Sequence, residues 1–455
     1  MKSYLNEYNR KLISTKQAAQ LVKSGDSVEY AGFCAKPVDF DLALAQRFGE
    51  PALSSVLVRG TATVLPIPEV IKVDPQQKVF QYRSWYYTAI DRILGDRGMC
   101  TYSPINYHEA SELFYNEEYV KFWPDIWCSQ VAPMDEHGYF NFGLANSYNR
   151  AQALGAKISV VEVNSNMPRC LGGIEEGVHI SEIDYVIEGS NSPIFTLPGN
   201  IEASPSEKAI AKLIVDDIRD GDCLQLGIGS LPNVIGHLVA DSDLKDLGIQ
   251  SELFCDACVE MYETNKITNA KKRMDRFKTV YTFAFVSQNT LAFMDQNPLL
   301  ASCPSGYTND PEKIALNDNV VSINNILELD LLGQVCSESK GLRQISGTGG
   351  QLDWVIGASK SRGGRSFLAF NSTYTDKAGK LHSRINPLLT PGAVVTVPRS
   401  MVHYLVTEYG KVSLKALSIW DRAEAIISIA HPQFRDELIK QAAEMKIWKP
   451  SNKIQ

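Results

Sequence analysis

The order of hydrophobic and polar positions predicts short buried strands separated by helices. Apolar runs rich in β-branched residues occur at 157–163, 277–283, 320–323 and 392–397. Apolar residues at helical spacing occur in other segments, including 420–430 and 434–446. Short buried strands that alternate with helices are typical of an α/β protein with a mostly parallel sheet.

One arrangement occurs twice along the chain. An amphipathic helical stretch, a Gly-Asp turn, an extended run and a glycine follow one another over 15–32, and again over 206–227. Each copy opens a half of comparable length, so the repetition predicts two similar α/β domains, with chance recurrence of a common unit as the alternative. The segment 189–205 is rich in Gly, Ser, Asn and Pro and is the predicted linker. Domains are therefore expected over 1–190 and 200–455.

Composition and charge exclude several classes of protein. The 455 residues are 44% hydrophobic and 21% charged, which is typical of a globular chain. A formal net charge of −7 disfavours a nucleic-acid or membrane-surface protein, because both need a basic face. No run reaches the roughly 18 apolar residues of a membrane span, and the polar start does not resemble a signal peptide. Nine scattered cysteines predict reduced thiols in a cytoplasmic protein.

A glycine-rich loop follows the predicted strand 223–226. Gly227 and Gly229 allow the backbone to turn sharply and to approach a ligand closely. A helix predicted to begin near Pro232 would point its free N–H groups at an anion. The loop lacks the Lys-Ser/Thr ending of a Walker loop and the third glycine of a dinucleotide fingerprint. A plain strand-to-helix turn is therefore an equally good interpretation.

Glu252 is the candidate nucleophile. It lies among Ile249, Leu253 and Phe254, close in sequence to the glycine loop. Most glutamates in such segments are solvated or paired, but nearby N–H groups would keep a partly buried carboxylate ionised. The segment 346–354 carries three further glycines, which permit either another close main-chain approach to a ligand or a tight turn. Gln351 and Asp353 in this segment could orient a ligand or the loop itself.

Other motifs point to chemistry less strongly. The spacing of Cys255 and Cys258 suits a redox dithiol or half a zinc site. However, the sequence has no second such pair and no matching histidine pair, and Asp-Ala between the cysteines does not match a redox motif. His137 is a candidate base, although a loop residue beside the turn at Gly138 is the preferred interpretation. No Gly-x-Ser-x-Gly elbow of a serine hydrolase is present.

Together these segments resemble the acetyl-CoA hydrolase/transferase family, in particular its 4-hydroxybutyrate and butyryl-CoA:acetate CoA-transferases. The matching stretches run in order over nearly the whole chain, at 133–138, 225–229, 232–233, 246–249, 251–252, 309–310, 317–324, 349–351 with 353, 383–385, 406–410, 422–423 and 429–432. The resemblance implies two open α/β domains of the CoA-transferase (NagB/RpiA-like) type with the active site between them. It also implies a short-chain acyl-CoA:carboxylate CoA-transferase, with butyrate or 4-hydroxybutyrate and acetyl-CoA or acetate as substrates.

The resemblance further implies roles for individual residues. Glu252 would attack the acyl-CoA thioester and pass through an anhydride to a glutamyl-CoA thioester. The binding site for coenzyme A would be lined by Gly227, Ile228, Gly229, Ser230, Leu231, Leu327 and Gly350. Lys377 would meet the nucleotide phosphates, with Lys380 as the alternative. Coenzyme A enters as a thioester substrate, and neither a permanently bound cofactor nor a metal is expected. A homodimer or homotetramer with small-molecule partners is implied as well.

Departures from the family pattern leave the acyl preference open. Ala257 and Cys258 stand where relatives often have a glycine and an aliphatic residue, and Trp354 replaces a phenylalanine. Trp354 could shrink the acyl pocket or fill a core position, and the stretch 81–88 is unusually aromatic. Three other functions remain as alternatives: an acyl-CoA hydrolase on the same scaffold, a CoA-binding or thiol-sensing protein using Cys255 and Cys258, and a sugar-phosphate isomerase of related fold.

Overall fold

The computed structural model of the protein describes residues 4–198, 202–449 and 451–452. It divides into two compact units, unit 1 with Met1–Leu197 and Val280–Thr308, and unit 2 with Pro198–Thr279 and Asn309–Gln455. The predicted division at 190–200 would place residues 280–308 in the second domain, whereas in the structure they belong to unit 1. The return of the chain to unit 1 is held by backbone hydrogen bonds, since Ala284 N–H donates to the carbonyl of Leu144 and Ser302 N–H to that of Leu171, each at 2.8 Å.

The helices of the described residues are mostly short. The α-helices are α1 (Leu5–Lys11), α2 (Thr15–Gln20), α3 (Asp39–Ala45), α4 (Glu69–Val73), α5 (Ala89–Asp96), α6 (Glu112–Tyr115), α7 (Asn149–Gly155), α8 (Pro205–Val215), α9 (Ser230–Ala240), α10 (Asp256–Glu263), α11 (Gln288–Met294), α12 (Ser305–Thr308), α13 (Pro311–Ile314), α14 (Gln351–Lys360), α15 (Ile419–Ser428) and α16 (Pro432–Glu444). Short 3-10 helices cover Phe33–Ala35, Tyr107–Glu109, Glu117–Phe122 and Ile180–Glu182. Among the described helices, none is long and apolar enough to span a membrane.

The strands alternate with these helices. They are β1 (Ser27–Tyr30), β2 (Val56–Gly60), β3 (Phe80–Ser84), β4 (Thr101–Tyr102), β5 (Ile126–Val131), β6 (Tyr139–Asn141), β7 (Ile158–Val163), β8 (Gly177–His179), β9 (Tyr185–Glu188), β10 (Cys223–Gln225), β11 (Gly248–Ile249), β12 (Leu253–Phe254), β13 (Thr279–Tyr281), β14 (Phe283–Ala284), β15 (Leu300–Ser302), β16 (Val320–Asn325), β17 (Glu328–Asp330), β18 (Val335–Cys336), β19 (Ser339–Lys340), β20 (Arg343–Gln344), β21 (Arg365–Ala369), β22 (Thr373–Thr375), β23 (Leu381–Ser383), β24 (Ile385–Asn386), β25 (Tyr404–Thr407) and β26 (Gly410–Ser413).

Unit 1 is built on a seven-stranded sheet in the order β4-β3-β2-β1-β5-β7-β9. All of its neighbouring strands pair in parallel. Every residue of β5 is buried, because strands inside a parallel sheet are covered on both faces. The aromatic stretch 81–88 belongs to this unit's core, where Tyr82, Trp85 and Tyr87 are buried.

Unit 2 is built on a six-stranded sheet in the order β11-β10-β16-β21-β25-β26. Its strands are parallel except for β26, which pairs with β25 in the antiparallel sense. Trp354 is buried on this sheet in a cluster with Cys223, Ile314, Val320 and Ala358. The structure therefore places Trp354 in a core position.

The repeated arrangement is visible at the start of each sheet. Ser14 caps α2 and Ser204 caps α8, each in a capping box with the residue three positions further on, Gln17 or Glu207. The capped helix leads through a Gly-Asp turn into β1 in unit 1 and into β10 in unit 2. The prediction of α/β units with mostly parallel sheets is confirmed.

Most of the predicted elements agree with the structure. The strands predicted at 157–163 and 320–323, and the helices at 420–430 and 434–446, are present with shifted ends. The run 277–283 is divided between β13 and β14, which belong to two separate two-stranded sheets. The strand predicted at 392–397 is wrong. Gly392 adopts a φ of +87° in a turn, and only Val397 forms a bridge, to Val335. Val394 and Val395 are 46% and 42% exposed, so this apolar run does not form a buried strand.

The predicted linker 189–205 has no helix or strand over 189–198 and 202–204. Its residues 199–201 lie outside the described residues. Helix α8 begins at Pro205, in the first-turn position that proline tolerates best.

Candidate active site

The glycine-rich loop joins β10 to α9 in unit 2. Gly229 is the N-cap of α9 with a φ of +117°, which only glycine adopts without strain. The helix begins at Ser230, earlier than the start predicted near Pro232. Pro232 lies instead inside the first turn, where the missing N–H costs no helical hydrogen bond. The free N–H groups of the first turn of α9 therefore lie at the end of the loop.

Ser230 is tied to the preceding helix. Its hydroxyl hydrogen-bonds the carboxylate of Glu207, which also accepts the N–H and the hydroxyl of Ser204 at 2.8 Å each. Burial opposes ionisation of Glu207, but the hydrogen bonds from Ser230 and Ser204 hold its pKa below the ordinary value. The capping box of α8 thereby sets the position of the loop.

Glu252 lies next to this loop. Its neighbour Ser251 is fully buried, and the Ser251 hydroxyl donates to the Leu226 carbonyl at 2.9 Å while receiving the Leu226 N–H at 3.3 Å. Leu226 directly precedes Gly227. The structure thus brings together the two segments that the sequence singled out, through one side chain that bonds to the backbone twice.

The Glu252 carboxylate is held by groups from distant parts of the chain. Asn309 Nδ2 donates to Glu252 Oε2 at 2.6 Å, and the Gly350 N–H donates to the same carboxylate. Removal from water raises the pKa of Glu252 to about 7, with Asp353 adding repulsion and the two hydrogen bonds opposing the rise. Near neutral pH the group is therefore divided between a nucleophilic carboxylate and its protonated form.

Gly350 lies so close to the Glu252 carboxylate that a residue with a side chain would not fit at this position. A Cβ at this position would lie 1.9 Å from Glu252 Oε2 and 2.1 Å from Asn309 Nδ2. Gly350 is also the N-cap of α14, so a helix N-terminus faces the carboxylate. The close approach expected of the glycine-rich segment 346–354 is thus made to Glu252 itself.

Sequence reasoning gave Asn309 no role and left Asp353 as a residue that orients a ligand or a loop. Asn309 is fully buried and Asp353 is 2% exposed in the first turn of α14. The only sequence signal for either was its place in a matching motif, at 309–310 and 349–353. No local pattern indicates that an asparagine so far along the chain will donate to Glu252.

A second cluster of predicted residues surrounds a cavity of about 510 Å³ within unit 2. Leu327 and Lys380 line it, together with Lys340 and Arg384. Lys377 lies in the exposed turn 376–379 and is not among the lining residues. Of the two lysines considered from the sequence, Lys380 is the one at the cavity.

Cationic side chains of this cavity lie over the ring of Tyr374. Tyr374 stacks on His382 with ring centroids 5.1 Å apart, and Lys340 Nζ lies 4.4 Å from the Tyr374 centroid. Arg384 lies 5.2 Å from the same centroid. Asp376 accepts a hydrogen bond from His382 at 2.7 Å. Two cationic side chains beside a flat aromatic pair, with Lys380 also lining the cavity, suit a ligand that carries both phosphate and a planar ring.

The remaining candidates lie elsewhere. His137 is on a surface turn of unit 1, its side chain 67% exposed and 3.5 Å from Glu136. Cys255 and Cys258 are both buried at the start of α10. Within the described residues, no group of three His, Cys, Asp or Glu side chains is placed to hold a metal ion.

Comparison with known proteins identifies the family of this chain. The model of the acetyl-CoA hydrolase/transferase N-terminal domain matches residues 1–198, and that of the C-terminal domain matches 287–442. The chain is 47% identical over 451 residues to a butyryl-CoA:acetate CoA-transferase of Anaerostipes caccae, covering 99% of this chain and 100% of that protein. It is 37% identical over 435 residues to a 4-hydroxybutyrate coenzyme A transferase of Clostridium kluyveri, covering 95% and 97%.

The structure is similar to that of 4-hydroxybutyrate CoA-transferase from Porphyromonas gingivalis, with a TM-score of 0.77 and 32% identity over 97% of this chain and 100% of that one. The predicted fold class and the predicted enzyme class, a CoA-transferase, are confirmed by these relatives. The chain belongs to the acetyl-CoA hydrolase/transferase family.

Proposed function

We propose that this CoA-transferase exchanges coenzyme A between short-chain acids, butyrate or 4-hydroxybutyrate on one side and acetate on the other, through a covalent intermediate on Glu252. The observation that carries the proposal is the half-buried Glu252 carboxylate, held by Asn309 and Gly350 next to the Gly227 loop. The names of the full-length relatives supply the substrate class.

The proposed reaction runs through two intermediates. The ionised Glu252 attacks the thioester carbonyl carbon, the C–S bond breaks, and an acyl-glutamyl anhydride and the CoA thiolate form. The thiolate then attacks the glutamyl carbonyl, releasing the first carboxylate and leaving a glutamyl-CoA thioester. The acceptor carboxylate repeats the sequence in reverse. Covalent catalysis divides one difficult exchange into easier steps, and no net proton transfer is needed.

Different donors serve the two kinds of attack. The N–H groups from Gly227 to Leu231 would stabilise the oxyanion formed on the acyl carbonyl, where one such donor contributes roughly 3–4 kcal/mol. Asn309 already donates to Glu252 Oε2, and the Gly350 N–H donates to the same carboxylate. They would therefore stabilise the oxyanion that forms when the thiolate attacks the glutamyl carbonyl itself.

The cavity beside Tyr374 is proposed to take the nucleotide end of coenzyme A. Lys340, Lys380 and Arg384 supply positive charge for phosphate, and Leu327 supplies an apolar wall. Lys380→Ala should raise KM for the acyl-CoA roughly tenfold with little change in kcat, because remote contacts mainly bind the substrate. Lys377→Ala is the matched control on the same turn, and a larger KM effect there would return the phosphate contact to Lys377.

The covalent step is tested by mass spectrometry. The enzyme is incubated with butyryl-CoA, trapped with borohydride or hydroxylamine, and digested with trypsin, which releases residues 246–266 as one peptide. Modification should be confined to Glu252, disappear in Glu252→Gln and persist in Glu263→Gln, an exposed glutamate of the same peptide. An unmodified peptide with CoA release to water, and no exchange into added acetate, would refute the mechanism in favour of hydrolysis.

The homodimer or homotetramer implied by the family resemblance remains part of this proposal. Size-exclusion chromatography with light scattering measures the mass directly. A monomer at working concentration would contradict it.

A further inference from the structure

Cys255 and Cys258 have the local geometry of a redox pair. Cys255 is the N-cap of α10 and directly follows β12, and Cys258 lies in the first turn of the same helix. Their Sγ atoms are 3.9 Å apart. The sequence spoke against this role because Asp256 and Ala257 separate the cysteines, but the strand-to-helix placement is the one in which C-x-x-C pairs react.

The two thiols are not equivalent. The Sγ atoms of Cys255 and Cys258 are in contact, and this contact, with the N–H groups of Cys258 and Ala257, lowers the pKa of Cys255. The same contact raises the pKa of Cys258. By contrast, burial raises the pKa of the thiols of Cys34 and Cys170 to about 12. Cys255 is also 4% exposed whereas Cys258 is fully buried, so the thiol with the lowered pKa is the less buried member of the pair.

We propose that Cys255 and Cys258 form a hydroperoxide-sensitive dithiol whose oxidation to a disulfide switches off Glu252. The Cys255 thiolate attacks one peroxide oxygen, the O–O bond breaks, and Cys255 becomes a sulfenic acid while hydroxide leaves. The Cys258 sulfur then attacks Cys255 Sγ and the S–O bond breaks. The proton from the Cys258 thiol leaves with the second oxygen as water. Two thiols and one hydrogen peroxide give one disulfide and two waters.

Closing this bond must disturb the site around Glu252. The sulfur atoms have to approach from 3.9 Å to about 2.05 Å, which pulls on the chain three residues after Glu252. The Glu252 carboxylate has little room to move, because it lies 2.6 Å from Asn309 Nδ2 and so close to Gly350 that a methyl group there would not fit. A displacement of the Glu252 carboxylate by about 1 Å would lower the rate of this positioned nucleophile by up to roughly a hundredfold.

The start of α10 is also packed tightly against α9. A Cβ at Gly236 would lie 2.6 Å from Ala257 Cβ, so the two helices touch between the cysteines. Helix α9 begins at the end of the Gly227 loop. Movement of Cys255 therefore reaches the loop as well as Glu252.

The regulatory part of this inference rests on the proposed role of Glu252, whereas formation of the disulfide does not. The full-length enzyme is treated with hydrogen peroxide, the oxidant is removed by gel filtration, and activity and the peptide 246–266 are measured together. The peptide should become lighter by two hydrogen atoms as kcat falls roughly tenfold or more. Dithiothreitol should reverse both changes.

Variants separate the pair from the other cysteines. Cys255→Ser should resist peroxide, with Cys255→Ala as the substitute if the serine variant does not fold. Cys258→Ser should accumulate a dimedone-reactive sulfenic acid at Cys255. Cys336→Ser, a buried cysteine elsewhere in unit 2, should behave like the wild type.

Three results would overturn the inference. They are a peptide 246–266 that stays a dithiol while activity falls, a disulfide that leaves activity unchanged, and equal peroxide sensitivity of the Cys255→Ser enzyme. If the reduced enzyme has no transferase activity although the disulfide forms, the proposed function fails and the redox pair stands.

Discussion

The buried Glu162 in unit 1 and the half-buried Glu252 in unit 2 contrast a structural carboxylate with the proposed nucleophile. Burial raises the pKa of both. Glu162 is 0% exposed, and both of its oxygens are occupied by donors, with Val38 and Phe40 N–H at 2.8 Å and Gln130 Nε2 at 2.9 Å. It anchors the first turn of α3.

Glu252 is enclosed differently. It is half-buried, and its hydrogen bond from Asn309 is made by Oε2. Its further neighbour is another carboxylate, Asp353, which opposes ionisation. A carboxylate whose two oxygens both accept hydrogen bonds serves as a structural anchor. A carboxylate that accepts a hydrogen bond at one oxygen and lies near a like charge keeps the reactivity of a nucleophile.

The largest expected effect separates the two roles. Glu252→Gln should lower kcat/KM by roughly 10⁴-fold or more, because removal of a nucleophile leaves only binding and oxyanion stabilisation. Glu162→Gln should instead lower the free energy of unfolding by about 1–3 kcal/mol, because its amide NH₂ would face main-chain donors. Steady-state kinetics and urea unfolding of both variants check this. Loss of turnover per folded molecule in Glu162→Gln would break the comparison.

Removal of the amide donor at Glu252 is expected to have the next largest effect. Asn309→Ala should lower kcat roughly a hundredfold, because a donor to the developing oxyanion is lost. Asn309 lowers the pKa of Glu252, so its loss should raise that pKa. The rising limb of the pH–rate profile, expected near pH 7 in the wild type, should move to higher pH. A drop in rate without that movement would assign Asn309 a purely structural role.

The smallest expected effect concerns stability. The pKa of Glu252 is about 7 in the folded protein against an ordinary value of 4.5. Between those values the folded state binds more protons, so stability falls as pH rises through this window. Glu252→Gln removes the cost of the buried charge and should unfold at a higher temperature than the wild type at pH 8. At pH 4 the two should agree. Calorimetry at both values tests this, and a lower transition temperature at pH 8 would contradict it.

Most of the local structure around the site was accessible from sequence. The helix at 206–214, the strand at 223–226 and the glycine loop were predicted because periodicity and glycine placement are local properties. The run 392–397 shows the limit of that reasoning. Its β-branched composition fits a strand, but pairing requires a neighbouring strand, and the turn at Gly392 leaves it half-exposed.

The sequence by itself determined the two α/β units, the glycine loop and Glu252 as the candidate nucleophile, since each depends on residue type and short-range order. Only the tertiary structure decided which groups meet that carboxylate. Asn309 and Gly350 reach Glu252 because different elements of unit 2 bring their ends together. The tertiary structure also put Lys380 at the cavity. Such meetings follow from how sheets and helices pack, and packing is long-range information that no window of sequence contains.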